Sequence, residues 1–373
     1  MKNYSTHLII SFCLLFQGTT LHAQLSEKWQ DKEVTATVHV GFVRPEKVIP
    51  ASERTPIGGE ITIGSLKMTE KAWQLCNCFH RSGWYANYYN FRNRYGLGET
   101  FGTGFYFEPL LLHRPDYNLS VRFTMGLSYI NRLYHPVRNP NRNFSSHING
   151  MTGLGVYGRK RISERLELVG MLALDYRHIS NAGIRQPNQG LNIPSIVAGI
   201  AYGPPSARLP ESRWWRPASL DKRWFGRALL LTSVRVYAAD DQYPETPRAM
   251  VGVNAYAGYR FTQSHALSTG IEIIDDGYMR EQMKRQNYTG TTQQATWLVG
   301  YELWQGRVSF TAHLGWNFLR PGTVIFGRQG YKPAFYEKYG LLYRFNNGIT
   351  TGVVVKAFGE DTKGFQLAVG GNF

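Results

Sequence analysis

Apart from one short stretch near its start, this 373-residue sequence contains no long apolar run. A helix crossing a bilayer needs about 20 such residues, so a helical membrane protein is excluded. Cysteine is nearly absent: Cys13, Cys76 and Cys78 are the whole complement. Cys76 and Cys78 are separated by one residue, which allows only a strained local bridge, and two thiols alone make a poor zinc site. No metal or cofactor is therefore expected. Acid is also in short supply. Lys and Arg number 42 against 26 Asp and Glu, a net charge of +16 with a pI near 9.7. In a chain that leaves the cytoplasm, such a balance suits phosphorylated lipid headgroups rather than nucleic acid.

Export is what the first 23 residues announce. Lys2 and His7 precede an apolar stretch from Leu8 to Phe16, and Ala23 supplies a small residue at the expected cut. That is the layout of a cleaved signal peptide. Beyond it the chain is rich in aromatics (14%) and in glycine (39 residues), yet its mean hydropathy is slightly negative. A transmembrane β-barrel has this composition, because each strand is apolar toward lipid and polar toward the lumen.

Period-two alternation recurs along the chain. Leu119, Val121, Phe123, Met125, Leu127 and Tyr129 share a face opposite Ser120, Arg122, Thr124, Gly126 and Ser128. Val308, Phe310, Ala312, Leu314, Trp316 and Phe318 oppose Ser309, Thr311, His313, Gly315 and Asn317. The final segment, 364–373, alternates likewise and ends on Phe373, resembling the signal by which outer-membrane barrels engage their assembly machinery. The pattern predicts an all-β, antiparallel barrel of about 14 strands (range 12–16) over residues 24–373. Residues 44–99 are irregular enough to conceal two more strands. Short connections such as 305–306 and 346–348 alternate with long ones such as 130–146 and 278–295, which puts the long loops outside the cell. The basic, aromatic segment 203–224 (Arg213, Trp214, Trp215, Arg216) interrupts that rhythm and is expected at the inner interface. Arg122, Arg260, Arg344 and Lys356 fall on lumen faces, where they would line a channel or plug it.

One strand departs from the rule. In 165–180 the apolar column Leu172, Leu174, Tyr176 ends on His178 and Ser180, while Ala173, Asp175, Arg177 and Ile179 face inward. Polar groups facing lipid are costly and are usually functional. Loop parity puts this pair at the extracellular end. Asn192, at the start of the next strand, is expected opposite or diagonal to them. Nucleophile, base and orienting group would then share one surface patch: Ser180, His178 and Asn192. Asp175, the nearest acid in sequence, is assigned to the lumen and is not a member.

The stretch His178-Ile179-Ser180-Asn181-Ala182-Gly183, followed by Pro187-Asn188-Gln189-Gly190, resembles the lipid A 3-O-deacylase (acyloxyacyl hydrolase) family of outer-membrane barrels. The resemblance is clearest over about 100–203, with additional barrel strands at 225–373. It implies a serine ester hydrolase acting on lipopolysaccharide in the outer leaflet, with Asn188 and the Gly183 amide as oxyanion donors and Asn181 in support. Asn192 stands where the family's usual residue is Glu. His-x-Ser with an Asn fourteen residues after the His also matches outer-membrane phospholipase A, a calcium-dependent enzyme. A porin-like barrel without catalysis is the non-enzymatic alternative.

Overall fold

The computed structural model describes residues 32–43, 55–203 and 220–373, save for short gaps in connecting segments (77, 94–95, 115, 164–167, 221–222, 240, 289, 320–321, 326–327, 332–333 and 359–360). The signal-peptide assignment and nearly all of 203–224 lie outside the described residues.

Among the described residues, alternation has its structural counterpart in sixteen long antiparallel strands, and they close as two rings of eight. The first ring runs β1 (Glu33–Gly41), β2 (Ile57–Lys67), β3 (His80–Asn93), β4 (Gly98–His113), β5 (Tyr117–Ile130), β6 (Ile148–Ser163), β7 (Leu168–Ser180) and β8 (Leu191–Tyr202). The second holds β9 (Trp224–Tyr237), β10 (Thr246–Arg260), β11 (His265–Asp276), β12 (Gln293–Gln305), β13 (Val308–Leu319), β16 (Phe335–Arg344), β17 (Ile349–Phe358) and β18 (Asp361–Asn372). A small hairpin, β14 (Gly322–Ile325) with β15 (Arg328–Tyr331), rises between β13 and β16.

The class is the one the alternation predicts; the partition into two rings is not. Edge pairing decides it. Along its free edge β8 pairs with β1, setting Ala198 opposite Val38, and β18 returns to β9, setting Val369 opposite Leu230. The two strands that alternation alone does not resolve, β2 and β3, complete the first ring. In β3 the usual facing is partly inverted, since Tyr85, Tyr89 and Phe91 point inward and are buried.

Both rings are inside-out relative to a soluble protein. Trp84, Leu172, Leu174, Ile196, Leu314 and Phe335 are each at least 65% exposed, whereas the largest fully buried side chains include Arg122, Arg159, Arg177 and Arg227. No helix among the described residues is long and apolar enough to cross a membrane; the strands do the crossing. Eight strands leave an interior just wide enough for side chains to fill. In the first ring Arg122 meets Glu108 at 2.6 Å, and Arg177 meets Glu60 at 3.0 Å and Asp175 at 2.5 Å. Arg122 and Lys356, both buried, therefore plug the lumens rather than line a channel. Gly153 makes room for one of these groups: a Cβ there would come within 2.6 Å of Arg177 Cδ.

The outer ends are closed differently. Over the first ring an apolar cap gathers Tyr89, Phe91, Ile130, Phe144, Met151, Ile179, Leu191 and Ile193 beneath the 131–147 loop. Over the second sits the helix Gly277–Arg285, capped at its start by Asp276 and tied down by Arg248, which contacts Glu281 at 2.6 Å. Hydrogen bonds from Arg285 and Arg248 hold the Glu281 carboxyl below its ordinary range. At the inner end of the first ring, beside the helix Glu70–Cys76, Cys78 is disulfide-bonded.

Candidate active site

At the outer end of the first ring, β7 and β8 pair so that His178 stands directly opposite Asn192. The alternation of β7 carries His178 and Ser180 outward, both partly exposed, and Asn192 is exposed on the same wall. His178 Nδ1 lies 2.6 Å from Asn192 Oδ1. The amide oxygen can only accept, so Nδ1 carries the proton and Nε2 is left with a free lone pair.

Ser180 is held from the other side. Its Oγ accepts from the Ala182 backbone amide at 2.9 Å and from Asn188 Nδ2 at 2.8 Å. A hydroxyl has two acceptor positions and one donor. With both acceptor positions occupied, the remaining O–H is free to donate to a base. Asn188 is itself oriented, because its Oδ1 accepts from the Asn181 amide at 3.2 Å.

The loop 181–190 owes its shape to a few unusual residues. Ala182, Gly183 and Gly190 have positive φ values of 51°, 79° and 66°. For alanine this is a strained conformation of the kind concentrated at functional sites. At Gly190 an added Cβ would lie 2.9 Å from Ile179 O, 3.1 Å from His178 Cε1 and 3.3 Å from Ser180 Cβ, so the glycine lets the loop close against the pair.

The other expected site residues fall as follows. Asn181 is buried and supportive: its Nδ2 donates to Ser145 Oγ, Ser146 Oγ and the Arg185 carbonyl at 2.9–3.2 Å. The Gly183 amide is also buried and donates to Asn181 Oδ1 at 3.0 Å, so it faces the loop interior rather than Ser180. The donor beside Ser180 is one residue earlier, at Ala182. Sequence reading had no signal for it, because the resemblance pointed to the next amide, that of Gly183. Asp175 is buried in the lumen, bonded to Arg177 and Tyr157, as strand parity requires.

Support comes from two neighbours. From the 131–147 loop, the Arg142 and Asn143 carbonyls accept from the Gln189 and Gly190 amides at 3.1 and 3.2 Å. From the second ring, the Val236 amide donates to the Ile184 carbonyl at 2.7 Å and Glu245 pairs with Arg185 at 2.7 Å.

Two family models match the chain. Residues 61–201, which run from within β2 to the end of β8, match lipid A 3-O-deacylase (PagL), and residues 229–371 match the acyloxyacyl hydrolase C-terminal domain. The chain belongs to the lipid A 3-O-deacylase family. It is an ester hydrolase of the outer membrane that removes acyl chains from lipid A. The boundary between the two matched segments coincides with the boundary between the rings.

No curated protein matches the sequence. Solved structures with a similar strand pattern include a Rh. blastica porin mutant (12% identity, 92% of this chain and 99% of that one, TM-score 0.18). The β domain of the Bordetella autotransporter BrkA gives 10% identity over 92% and 98%, with a TM-score of 0.24. The Pseudomonas aeruginosa ferric enterobactin receptor PfeA gives 9% over 87% and 53%, also with a TM-score of 0.24. Superpositions this weak carry no functional weight.

Proposed function

We propose that Ser180 is the nucleophile of this lipid A deacylase, with His178 as its base and Asn192 as the group that orients the imidazole. The observation that carries the reading is the 2.6 Å contact between His178 and Asn192 on the patch that also bears Ser180. Ser180 Oγ attacks the carbonyl carbon of an acyl ester and its proton passes to His178 Nε2. The tetrahedral intermediate collapses as His178 returns that proton to the departing sugar oxygen, leaving an acyl-serine. Water, deprotonated by the same nitrogen, then releases the fatty acid and restores Ser180. The products are a free fatty acid and an under-acylated lipid A.

Asn188 Nδ2 and the Ala182 amide, both already beside Oγ, are the donors for the developing oxyanion. Asn181 fixes Asn188. The Gly183 amide, occupied by Asn181, acts by holding the turn. The site opens on the lipid-facing wall at the outer rim, so the substrate is lipopolysaccharide in the outer leaflet. Exposed Arg132 and Arg138 on the neighbouring 131–147 loop suit its phosphates. A signal peptide at 1–23 delivers the chain across the inner membrane, and the C-terminal strand ending at Phe373 engages the outer-membrane assembly machinery.

The test is Ser180→Ala in purified full-length protein, assayed by mass spectrometry of lipid A. Loss of acyl release with retained heat-modifiable migration on gels is expected. Full acyl release by the alanine variant would refute the assignment.

A further inference from the structure

The turn end of the second ring contains a feature that deacylation does not use. A cavity of about 380 Å³ opens there, lined by Trp224, Phe225, Arg260, Trp304, Arg307 and Arg344, among others. It lies at the inner mouth, because the short turns 261–264, 306–307 and 345–348 surround it. Arg260 and Arg344 point inward from β10 and β16, with guanidinium carbons 4.7 and 5.3 Å from the Trp304 ring centre.

The acidic side chain beside this cavity is already committed. Glu302 takes both arms of Arg227, at 2.9 and 3.1 Å, and accepts from Trp304 Nε1 at 2.9 Å. Among the described residues no acid lies within ion-pair distance of Arg260, Arg307 or Arg344. Arg260 donates through one arm to the Gln263 carbonyl, while its buried Nε has no partner. Elsewhere in the two lumens buried cations meet carboxylates; here Arg260 and Arg344 lie over one indole and the exposed Arg307 shares the lining, with no acidic side chain in ion-pair distance among the described residues. Like charges held together in a partly enclosed, low-dielectric cup repel. Guanidiniums without a carboxylate partner around an apolar floor are complementary to a compact, multiply charged anion.

We infer that this cup binds a phosphate monoester at the inner face of the membrane, the guanidiniums taking the phosphate oxygens and the Trp304 and Phe225 rings the adjoining carbon skeleton. A monoester fits better than a carboxylate or a diester because it carries −1.5 to −2 charges near pH 7. Its source is either a soluble metabolite or a lipid headgroup entering from the rim, and the experiment separates the two.

The full-length protein in neutral detergent is titrated with glycerol 3-phosphate by calorimetry, and with phosphatidic acid in mixed micelles by native mass spectrometry. Binding of either probe, weakened at least tenfold in Arg260→Gln/Arg344→Gln, supports the site; which probe binds names the source. Arg260→Lys, which keeps the charge and loses the fork, should weaken binding by a smaller factor. Arg223→Gln, outside the cup, should bind as the parent does. Relief of repulsion predicts that the double variant melts no lower than the parent. Two results would overturn the inference: neither probe binding the parent, or binding unchanged in the double variant. Lipid A deacylation, carried by the other ring, should not change in any of these variants.

Discussion

The two rings share strand number, closure and a lumen filled with charge pairs, yet their lipid-facing walls place polar groups differently. In the first, the lipid-facing columns of β7 and β8 end in His178, Ser180 and Asn192. In the second, β10 presents Pro247, Ala249, Val251, Val253, Ala255, Ala257 and Tyr259 outward, with no histidine, serine or charged group. An outward polar group that the second ring does keep, Thr269, is used up locally: it accepts from Trp297 Nε1 at 2.8 Å and donates to the Leu298 carbonyl at 2.9 Å. The same scaffold therefore has no chemistry of its own. On the proposed mechanism, chemistry enters where three outward positions break the apolar rule at the rim and a strained loop supplies donors to Ser180.

The comparison is broken most severely at His178. His178→Ala should lower deacylation by on the order of 10⁴-fold or more, as removal of a base does in serine hydrolases. Because the imidazole fills no core, the melting transition should stay within about 0.5 kcal/mol of the parent. A steady-state rate within tenfold of wild type would contradict its role.

The lumens should behave alike where the walls do not. Glu108→Gln leaves Arg122, Arg159 and Arg81 short of a counter-charge, and Glu272→Gln does the same to Lys338 and Lys356. Removing one partner of a buried pair costs roughly 3–5 kcal/mol. Urea titration in detergent should show losses of that size in both variants. A neutral result in one ring would mean that its lumen is hydrated rather than plugged.

A smaller effect is expected at Asn192. Asn192→Ala should reduce kcat with little change in KM, since orienting the imidazole matters mainly in the transition state. The drop should fall short of the ~10⁴-fold seen when a triad carboxylate is neutralised, because an amide stabilises the imidazolium less. Asn192→Glu tests whether a carboxylate serves better here. A change in KM alone would reassign Asn192 to substrate contact.

Smallest of all is the bridge between the rings. Arg185 and Glu245 are each nearly half exposed, and a pair of that kind contributes about 1 kcal/mol or less. Glu245→Gln should leave the melting point nearly unchanged and the rate within about twofold. A large loss of rate would mean that the second ring actively holds the loop carrying Asn188.

Much of this was readable from the sequence because alternation reports facing. The outward placement of His178 and Ser180, the inward placement of Asp175 and fourteen of the strands all follow from period two. Strand β3 escaped because Tyr85, Tyr89 and Phe91 are large apolar groups that point inward, against the rule. The two rings escaped for a different reason. Alternation fixes which way a side chain points, not which distant strand lies at an edge, and β8 closes on β1 rather than on β9 through pairing across more than 150 residues. In the site, the Ala182 amide was hidden because the motif names residues, not the backbone path of the loop that brings that amide to Ser180.

The most direct test of the central claim is product analysis. Purified wild-type protein and the Ser180→Ala variant are incubated with lipopolysaccharide and, separately, with phospholipid, each with and without a calcium chelator, and the lipids are read by mass spectrometry. The site described here predicts loss of one acyl chain from lipid A by the wild type alone, unaffected by the chelator. Calcium-dependent release from phospholipid, with lipid A intact, would contradict it.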